Sequence, residues 1–269
     1  MAIFKTFTHE EVTGTHVGKY NLASNSKVHF YQLGDTLIDT GPPNDRGTVV
    51  AHLKPQPISQ ILLTHHHEDH SGNVKALSEA LSVPAFIHPQ GIDVMRQGFP
   101  LRLYQKIFWG TAPPCELSPL PETIATSTGH TLVPIHTPGH CPDHVCFLEP
   151  EKKWLFSGDF YLATKVKMFR ADEDLKGHLK SLRKILTYDF DTLFCGHQGV
   201  VPDAKARMET KLSYFTELIA KVQERNERGV PEKRIALELL GKNGIAGLVS
   251  FNHMSCINLV RQCLAINNA

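Results

Sequence analysis

Four side chains that commonly bind divalent metals lie close together in residues 64–70, directly after the apolar residues 58–63. They form the pattern His-x-His-x-Asp-His, with His65, His67, Asp69 and His70 as the ligands. Ligands held at the end of a rigid strand are already organised, so less entropy is lost when a metal binds. A metal-bound water becomes nucleophilic, because the metal lowers its pKa toward neutrality. The run is internal and contains two acids, which favours a catalytic site over a tag or a metal-scavenging surface tract.

Three later segments repeat one order of features, in which a short apolar strand is followed by a glycine and then by a further metal ligand. The three ligands are His140, Asp159 and His197. Glycine allows the close backbone approach that a crowded metal centre requires. One histidine after a glycine is more often structural, but three such ligands complete a set large enough for two metals.

The seven ligands, in this order, resemble the signature of the metallo-β-lactamase-fold hydrolases, over residues 39–197. The resemblance implies a first metal on His65, His67 and His140, a second on Asp69, His70 and His197, and a carboxylate bridging both at Asp159. Asp69 is then also the candidate catalytic proton carrier. Asp39 and His66 are candidates for the hydrogen bonds that orient the ligands, although Asp39 also fits a plain Asp-Thr-Gly turn.

The order of apolar patterns predicts an α/β protein. Turns at Gly14, Gly18 and Gly34 indicate antiparallel strands in the first 40 residues. Ser71 is expected to cap a helix, residues 84–88 a short buried strand, and apolar stripes indicate helices near 175–186 and 208–222. Alternating strands and helices around two groups of ligands fit a four-layer αββα sandwich, which the resemblance also implies. We expect a catalytic domain over residues 1–228 and a small helical appendage over residues 229–269, and the resemblance implies that this appendage is either a simple helical or a winged-helix-like one.

The composition is that of an ordinary soluble globular protein, with 269 residues, 41% of them hydrophobic and 20% charged. The net charge of +1 gives no bulk electrostatic reason for binding nucleic acid or a membrane surface. The sequence shows no membrane-spanning stretch and no secretory signal, and its six cysteines have no framework spacing. We therefore expect a cytoplasmic protein with reduced thiols, and homodimerisation stays open.

Asp159 narrows the expected chemistry, because β-lactam-cleaving members of the family generally have Cys or Ser at this position. A bridging Asp is usual in relatives that cleave thioesters, lactones or phosphodiesters. We therefore predict a glyoxalase II-like hydrolase that uses a bridging hydroxide on a carbonyl ester or thioester. Glyoxalase II enzymes usually have Glu-Tyr-Thr after the last ligand, where this chain has Gln198-Gly199-Val200. That form resembles the β-lactamase-like protein 2 group, some of which cut RNA, so an endoribonuclease or phosphodiesterase is the alternative.

Other activities known in the family are further alternatives for the function of this chain. Lactonases share the bridging Asp, and persulfide dioxygenases use one iron on a His-His-Asp triad. The complete second-metal set argues against a dioxygenase, and the absence of cysteine ligands argues against a closed structural zinc site. We expect two divalent metal ions, zinc first, although the same ligands suit iron or manganese.

The candidate substrate-binding residues are aromatic or basic. They are Tyr161, Lys165, Lys167, Arg170, Phe108 and Trp109. The basic residues could steer a small anionic or acyl substrate, such as a CoA or glutathione thioester, or RNA. The other lysines, in the helix after residue 174, could instead form an ordinary charged helix face that is exposed to solvent. Residues 91–121 form either a helical lid over the substrate or a surface helix.

Overall fold

The computed structural model describes residues 3–18 and 27–266, and the chain forms two compact units. The first unit comprises Met1–His136, Pro142–Leu162 and Asp189–Ala204. The second comprises Thr137–Cys141, Ala163–Tyr188 and Lys205–Ala269. This division does not run along residues 228 and 229, so the predicted catalytic and appendage domains stay a prediction.

The first unit contains two β-sheets. Neighbouring strands of the seven-stranded sheet are, in order, β1 (Ile3–His9), β2 (Val12–Gly18), β3 (Val28–Leu33), β4 (Thr36–Ile38), β5 (Gln60–Leu62), β6 (Ala85–Ile87) and β7 (Ser118–Pro119). Its pairs are antiparallel from β1 to β4 and parallel from β4 to β7. The six-stranded sheet has the order β14 (Gly199–Val201), β13 (Thr192–Cys195), β11 (Trp154–Gly158), β10 (Val145–Glu149), β9 (Thr131–His136) and β8 (Ile124–Ala125). Only its pair β11 and β13 is parallel among the described strands.

The two sheets pack face to face, because one buried apolar cluster takes side chains from both. Tyr31, Ile38 and Leu62 come from the first sheet, and Phe147 and Phe156 from the second. The opposite face of the seven-stranded sheet is covered by three helices, namely α1 (Arg46–Leu53), α3 (Val74–Leu81) and α4 (Pro89–Gln97). Two shorter helices of this unit are α2 (Glu68–Ser71) and α5 (Leu103–Phe108). The predicted strand at residues 84–88 is confirmed as β6.

The second unit is mainly helical. Its helices are α6 (Leu175–Ile185), α7 (Ala204–Glu227, whose first residue belongs to the first unit), α8 (Glu232–Leu240), α9 (Gly244–Val249) and α10 (Cys256–Leu264). The strands β12 (Phe169–Arg170) and β15 (Met254–Ser255) form a small antiparallel sheet. Both helices predicted from apolar stripes are confirmed as α6 and α7. No helix in the described part of the chain is long and apolar enough to cross a membrane.

Two local predictions were wrong. Gly14 is not a turn but pairs with Phe7 inside the β1–β2 ladder, and the turn lies at Glu10 and Glu11. A Cβ at Gly14 would lie 2.3 Å from Phe7 Cζ, so glycine there makes room for an aromatic ring. Ser71 does not cap a helix, because it ends α2 and its hydroxyl donates to the carbonyl of His66.

Candidate metal centre

In the first unit, the predicted ligands lie in segments that directly follow strands of the two sheets. The run that follows β5 turns directly into α2, and its four predicted ligands are buried. Asp159 follows β11 and His197 comes shortly after β13. Since β11 and β13 are parallel neighbours, their carboxyl ends lie at the same edge of the sheet. The topology therefore brings together ligands that are distant in sequence.

Two groups of ligand atoms share one histidine. The ligand atoms of His65, His70 and Asp159 lie within 4.8 Å of one another, as do those of Asp69, His70 and His197. Asp159 Oδ1 lies 3.0 Å from His70 Nε2 and 3.3 Å from His197 Nε2. Asp69 Oδ2 lies 3.5 Å from His197 Nε2. Asp159, a member of the first group, thus also lies beside His197 of the second group, and its role as a carboxylate that bridges two metals stays a prediction.

The remaining predicted ligands are His67 and His140. The His67 ring lies 4.6 Å from the His65 ring, centroid to centroid. His140 belongs to the second unit, where its Nδ1 is 2.8 Å from Glu173 Oε1. The other oxygen of Glu173 accepts a hydrogen bond from Arg170 N at 2.7 Å. The carboxylate fixes the His140 ring through Nδ1, and the place of His140 in the first metal set stays a prediction.

Hydrogen bonds at Nδ1 orient three of the ligand rings. His70 Nδ1 lies 2.7 Å from Asp39 Oδ2, His197 Nδ1 lies 2.7 Å from Lys27 O, and His65 Nδ1 lies 3.0 Å from Thr64 Oγ1. Because each Nδ1 has a partner, each ring would use Nε2 toward a metal.

Asp39 occupies the position expected of an orienting residue. It is 3% exposed and has a left-handed backbone, with φ of 61°. Its carboxylate accepts hydrogen bonds from both the backbone N and the hydroxyl of Thr64, besides its contact with His70. Asp39 therefore connects the start of the ligand run to a ligand at its end.

His66, the other predicted orienting residue, has a different partner. Its backbone N donates to Asp143 Oδ2 at 2.9 Å, and its Nδ1 lies 2.7 Å from Asp143 Oδ1. Its ring packs edge-on against His67 at 4.7 Å and against Phe99 at 5.0 Å between centroids. The described contacts of His66 thus fix the backbone of the run and one neighbouring ligand ring.

The buried carboxylates and imidazoles of the centre shift one another's pKa. Burial lowers the pKa of His70, but the carboxylates of Asp159, Asp39 and Asp69 raise it well above its ordinary value. Burial raises the pKa of Asp159, yet the imidazoles of His197 and His70 hold it well below its ordinary value. Such a field favours positive charge, which a divalent metal would supply.

Gly196 is required by close packing of the centre. A Cβ at this position would lie 2.7 Å from His70 Cε1 and 3.0 Å from Asp159 Oδ1. Any larger residue before His197 would therefore displace ligands of the centre. The glycine before the ligand, visible in the sequence, has a direct steric reason here.

The predicted substrate residues fall into both units. In the first unit, the Trp109 ring lies 6.4 Å from the His197 ring, the Phe108 carbonyl accepts a hydrogen bond from Asn44 Nδ2 at 2.6 Å, and Tyr161 is buried. Residues 91–121 thus lie beside the predicted ligand His197 through Trp109 and beside His66 through Phe99, and their role as a lid stays a prediction.

In the second unit, Lys165 and Lys167 are exposed. The Arg170 guanidinium is paired with Asp172, with Nε 3.0 Å from Oδ1 and Nη2 2.9 Å from Oδ2. The two lysines are therefore the better candidates for binding an anionic group.

Several residues of the site were missed by the sequence reasoning. They are Thr64, Glu68, Gln105, Asp143 and Glu173. Each acts through a hydrogen bond to a partner far away in sequence, for example 33 residues in the case of Glu173 and His140. Thr64 and Glu68 lie inside the ligand run, which is the one signal that could have pointed to them.

Comparison with known proteins gives the family. The family model described as the metallo-beta-lactamase superfamily matches residues 33–197, which contain all seven predicted ligands. The chain belongs to the metallo-beta-lactamase superfamily. Members of this superfamily are generally hydrolases that use metal ions.

Two kinds of curated relative are similar to this chain. One is the beta-lactamase-like protein 2 homolog of Drosophila melanogaster, 32% identical over 70% of this chain and 64% of that protein. The other is the atrochrysone carboxyl ACP thioesterase, 25% identical in Claviceps purpurea over 69% of this chain and 55% of that protein. The chain thus matches less than two thirds of the length of either relative.

Solved structures agree on the fold. The metallo-beta-lactamase family protein TTHA1429 from Thermus thermophilus covers 98% of this chain and 91% of its own, with a TM-score of 0.65 and 23% identity. This likeness confirms the predicted α/β metallo-β-lactamase fold with C-terminal helices. TTHA1623, solved in a di-iron-bound form, is 28% identical over 70% of this chain and 94% of its own, with a TM-score of 0.54.

Proposed function

We propose that this chain is a binuclear metal-dependent hydrolase that cleaves a carbonyl thioester. The observation that carries the proposal is the position of Asp159, whose carboxylate forms one group with His65 and His70 and lies 3.3 Å from His197 of the second group. A carboxylate that binds two metals would hold them close enough to act on the same substrate. The thioesterases among the relatives support the choice of substrate.

The residues present fit a pair of divalent metals. The donors are imidazole nitrogens and carboxylate oxygens, which suit zinc and also iron, and a di-iron form of one structural neighbour supports iron as a candidate beside zinc. We assign His65, His67 and His140 to the first metal, Asp69, His70 and His197 to the second, and Asp159 to both. When bound, the metals would supply an activated water and polarise the carbonyl oxygen.

The chain's own side chains would orient the reactants and move the proton. Asp69 is buried beside His197 and His70, and we propose that its carboxylate accepts a proton during attack. The Trp109 ring beside His197 would contact the acyl part, and the exposed Lys165 and Lys167 would bind an anionic carrier. An acyl-CoA or acyl-carrier phosphopantetheine thioester has both an apolar part and an anionic part.

The decisive experiment is a substrate panel on protein stripped with chelator and then reloaded with zinc or iron. The panel contains acyl-CoAs, S-lactoylglutathione, a homoserine lactone, single-stranded RNA, a simple phosphodiester and a cephalosporin. We expect turnover of thioesters by the reloaded protein and a poor rate on the cephalosporin. Fast turnover of the cephalosporin alone would contradict the interpretation of Asp159.

The anionic handle is tested with matched lysine variants. Replacing Lys165 and Lys167 by Ala should raise KM for acyl-CoA without changing KM for a neutral acyl-thiol. The control replaces two exposed lysines of α6, Lys176 and Lys180, by Ala. Equal effects of both pairs would indicate general electrostatics rather than a binding site.

Cleavage of an RNA phosphodiester is the second candidate. The 32% identity to a beta-lactamase-like protein 2 homolog favours it, since the resemblance found in the sequence implies RNA cleavage for some of that group. Metal-dependent cleavage of the RNA in the panel, lost when Lys165 and Lys167 become Ala, would replace the thioester proposal.

A further inference from the structure

Glu68 lies inside the ligand run but is directed to a different partner. It stands between His67 and Asp69 in α2 and is 2% exposed. Its Oε1 accepts a hydrogen bond from Gln105 Nε2 at 2.9 Å. A buried carboxylate is costly unless it is hydrogen-bonded, so this contact is expected to persist.

Gln105 uses both ends of its amide. Its Nε2 donates to Glu68, and its Oε1 accepts from Arg102 N at 3.0 Å, which satisfies a backbone donor at the start of α5. Gln105 itself is 5% exposed. The amide therefore fixes the first turn of α5 to the helix that carries the metal ligands.

A second anchor holds the other end of α5. Asn44 Nδ2 donates to Phe108 O at 2.6 Å, and Asn44 N donates to Trp109 O at 3.0 Å. Hydrogen bonds thus fix both ends of α5, through Gln105 at its start and through Asn44 at Phe108 and Trp109. The Trp109 ring lies 6.4 Å from the His197 ring and is tilted by 49° to it.

We infer that Glu68 is a positioning residue, which acts through Gln105 on α5 and places Trp109 as an aromatic wall beside His197. This inference rests on the proposed function and adds a specificity to it, namely for thioesters with an extended apolar acyl group. The Trp109 ring lies 6.4 Å from the His197 ring, so an extended apolar acyl group beside the ligands would pack against it. An acetyl group offers too little apolar surface for such a contact.

The test breaks the contact and then restores it with the roles exchanged. Gln105→Met keeps the volume but removes the amide, and leaves Glu68 without this donor. The double variant Glu68→Gln with Gln105→Glu restores an amide–carboxylate pair, in which residue 105 still offers an oxygen to Arg102 N. Lys106→Met is the matched control, because Lys106 is an exposed neighbour on the same helix.

The kinetic measurement compares octanoyl-CoA with acetyl-CoA. For Gln105→Met we expect KM for octanoyl-CoA to rise about tenfold, the scale of discrimination by an apolar pocket, with little change in the rate on acetyl-CoA. The double variant should recover most of the preference, and Lys106→Met should keep it. An unchanged preference in Gln105→Met, or an equal loss on both substrates, would overturn the inference.

Tryptophan fluorescence gives a readout that needs no turnover. The chain has two tryptophans, and Trp154 is buried in the sheet core, so the difference between the native protein and Trp109→Phe reports Trp109. Gln105→Met should make this signal more accessible to acrylamide, and the double variant should reverse the change. If the native protein hydrolyses no thioester, the proposed function fails and the specificity fails with it, while this measurement still decides the positioning role. Unchanged quenching in Gln105→Met refutes that role.

Discussion

Asp39→Asn tests whether hydrogen bonding to a ligand ring controls metal binding. In the native protein, Asp39 accepts from Thr64 N through Oδ1 and contacts His70 Nδ1 through Oδ2 at 2.7 Å. Asparagine has the same shape and tolerates the left-handed backbone at this position. It has only one acceptor oxygen, so in either orientation its NH₂ group faces a donor, Thr64 N–H or His70 Nδ1–H.

The expected magnitude follows from the ring tautomer. If the amide faces His70, the ring must place its proton on Nε2, which is the nitrogen available to a metal. Loss of an outer partner of a ligand typically costs about 10- to 100-fold in metal affinity, or about 1.4–2.7 kcal/mol. We expect this loss at the second metal, to which His70 is assigned, and a smaller loss at the first.

The assay is a titration of the stripped protein with zinc in competition with a chromophoric chelator. Asp143→Asn is the matched control, because Asp143 is buried and contacts His66 Nδ1 at the same distance of 2.7 Å, but His66 is not a predicted ligand. Wild-type affinity for both metals in Asp39→Asn would refute the reasoning. An equal loss in Asp143→Asn would show that any buried Asp near the site has the same effect.

Three further predictions follow from single residues. Asp159→Ala should weaken binding of both metals and reduce hydrolysis by more than about 100-fold, and full metal content at the native rate would disprove its bridging role. Gly196→Ala should cost about 1–3 kcal/mol in urea unfolding and lower metal content, because the added methyl group overlaps two ligands. Burial lowers the pKa of His130, but hydrogen bonds to Glu11 and Glu149 raise it above its ordinary value of 6.5. His130 therefore stabilises the fold fully below that value and loses this effect as the pH rises, so His130→Gln should cost more stability at about pH 6 than at about pH 9.

The buried cluster of predicted ligands could be foreseen from the sequence because each of these residues follows a short strand. The apolar residues of β5, β11 and β13 fix where the chain reaches the sheet edge, and the next polar residues must lie there. The structure confirms β6, α6 and α7, whose apolar patterns are strong. The turn predicted at Gly14 was wrong, because one sequence does not show that the Phe7 ring crosses this position on the neighbouring strand.

Apart from Asp39, the hydrogen-bond partners of the ligand rings could not be predicted, because they depend on contacts between distant segments. Glu173 reaches His140 only because the turn at Pro138 packs on α6, where Ser181 Oγ donates to its carbonyl. Likewise, the aromatic content of residues 91–121 suggests a role near the substrate, but only the tertiary fold shows Trp109 beside His197. The sequence shows that this segment is rich in aromatic side chains, but the residues that they contact depend on the tertiary packing of the first unit.

The ligand run itself alternates between two tasks. Its non-ligand positions each bind a partner from another part of the chain. The pairs are Thr64 with Asp39, His66 with Asp143, and Glu68 with Gln105. The intervening ligands are thus flanked on both sides by hydrogen-bonded residues, which reduces the entropy lost when a metal binds. These partners have different neighbours. Asp39 contacts the predicted ligand His70, whereas Gln105 belongs to α5, which precedes Trp109. Substitutions at the position of Glu68 should therefore alter substrate preference before metal affinity, and those at Asp39 should do the reverse.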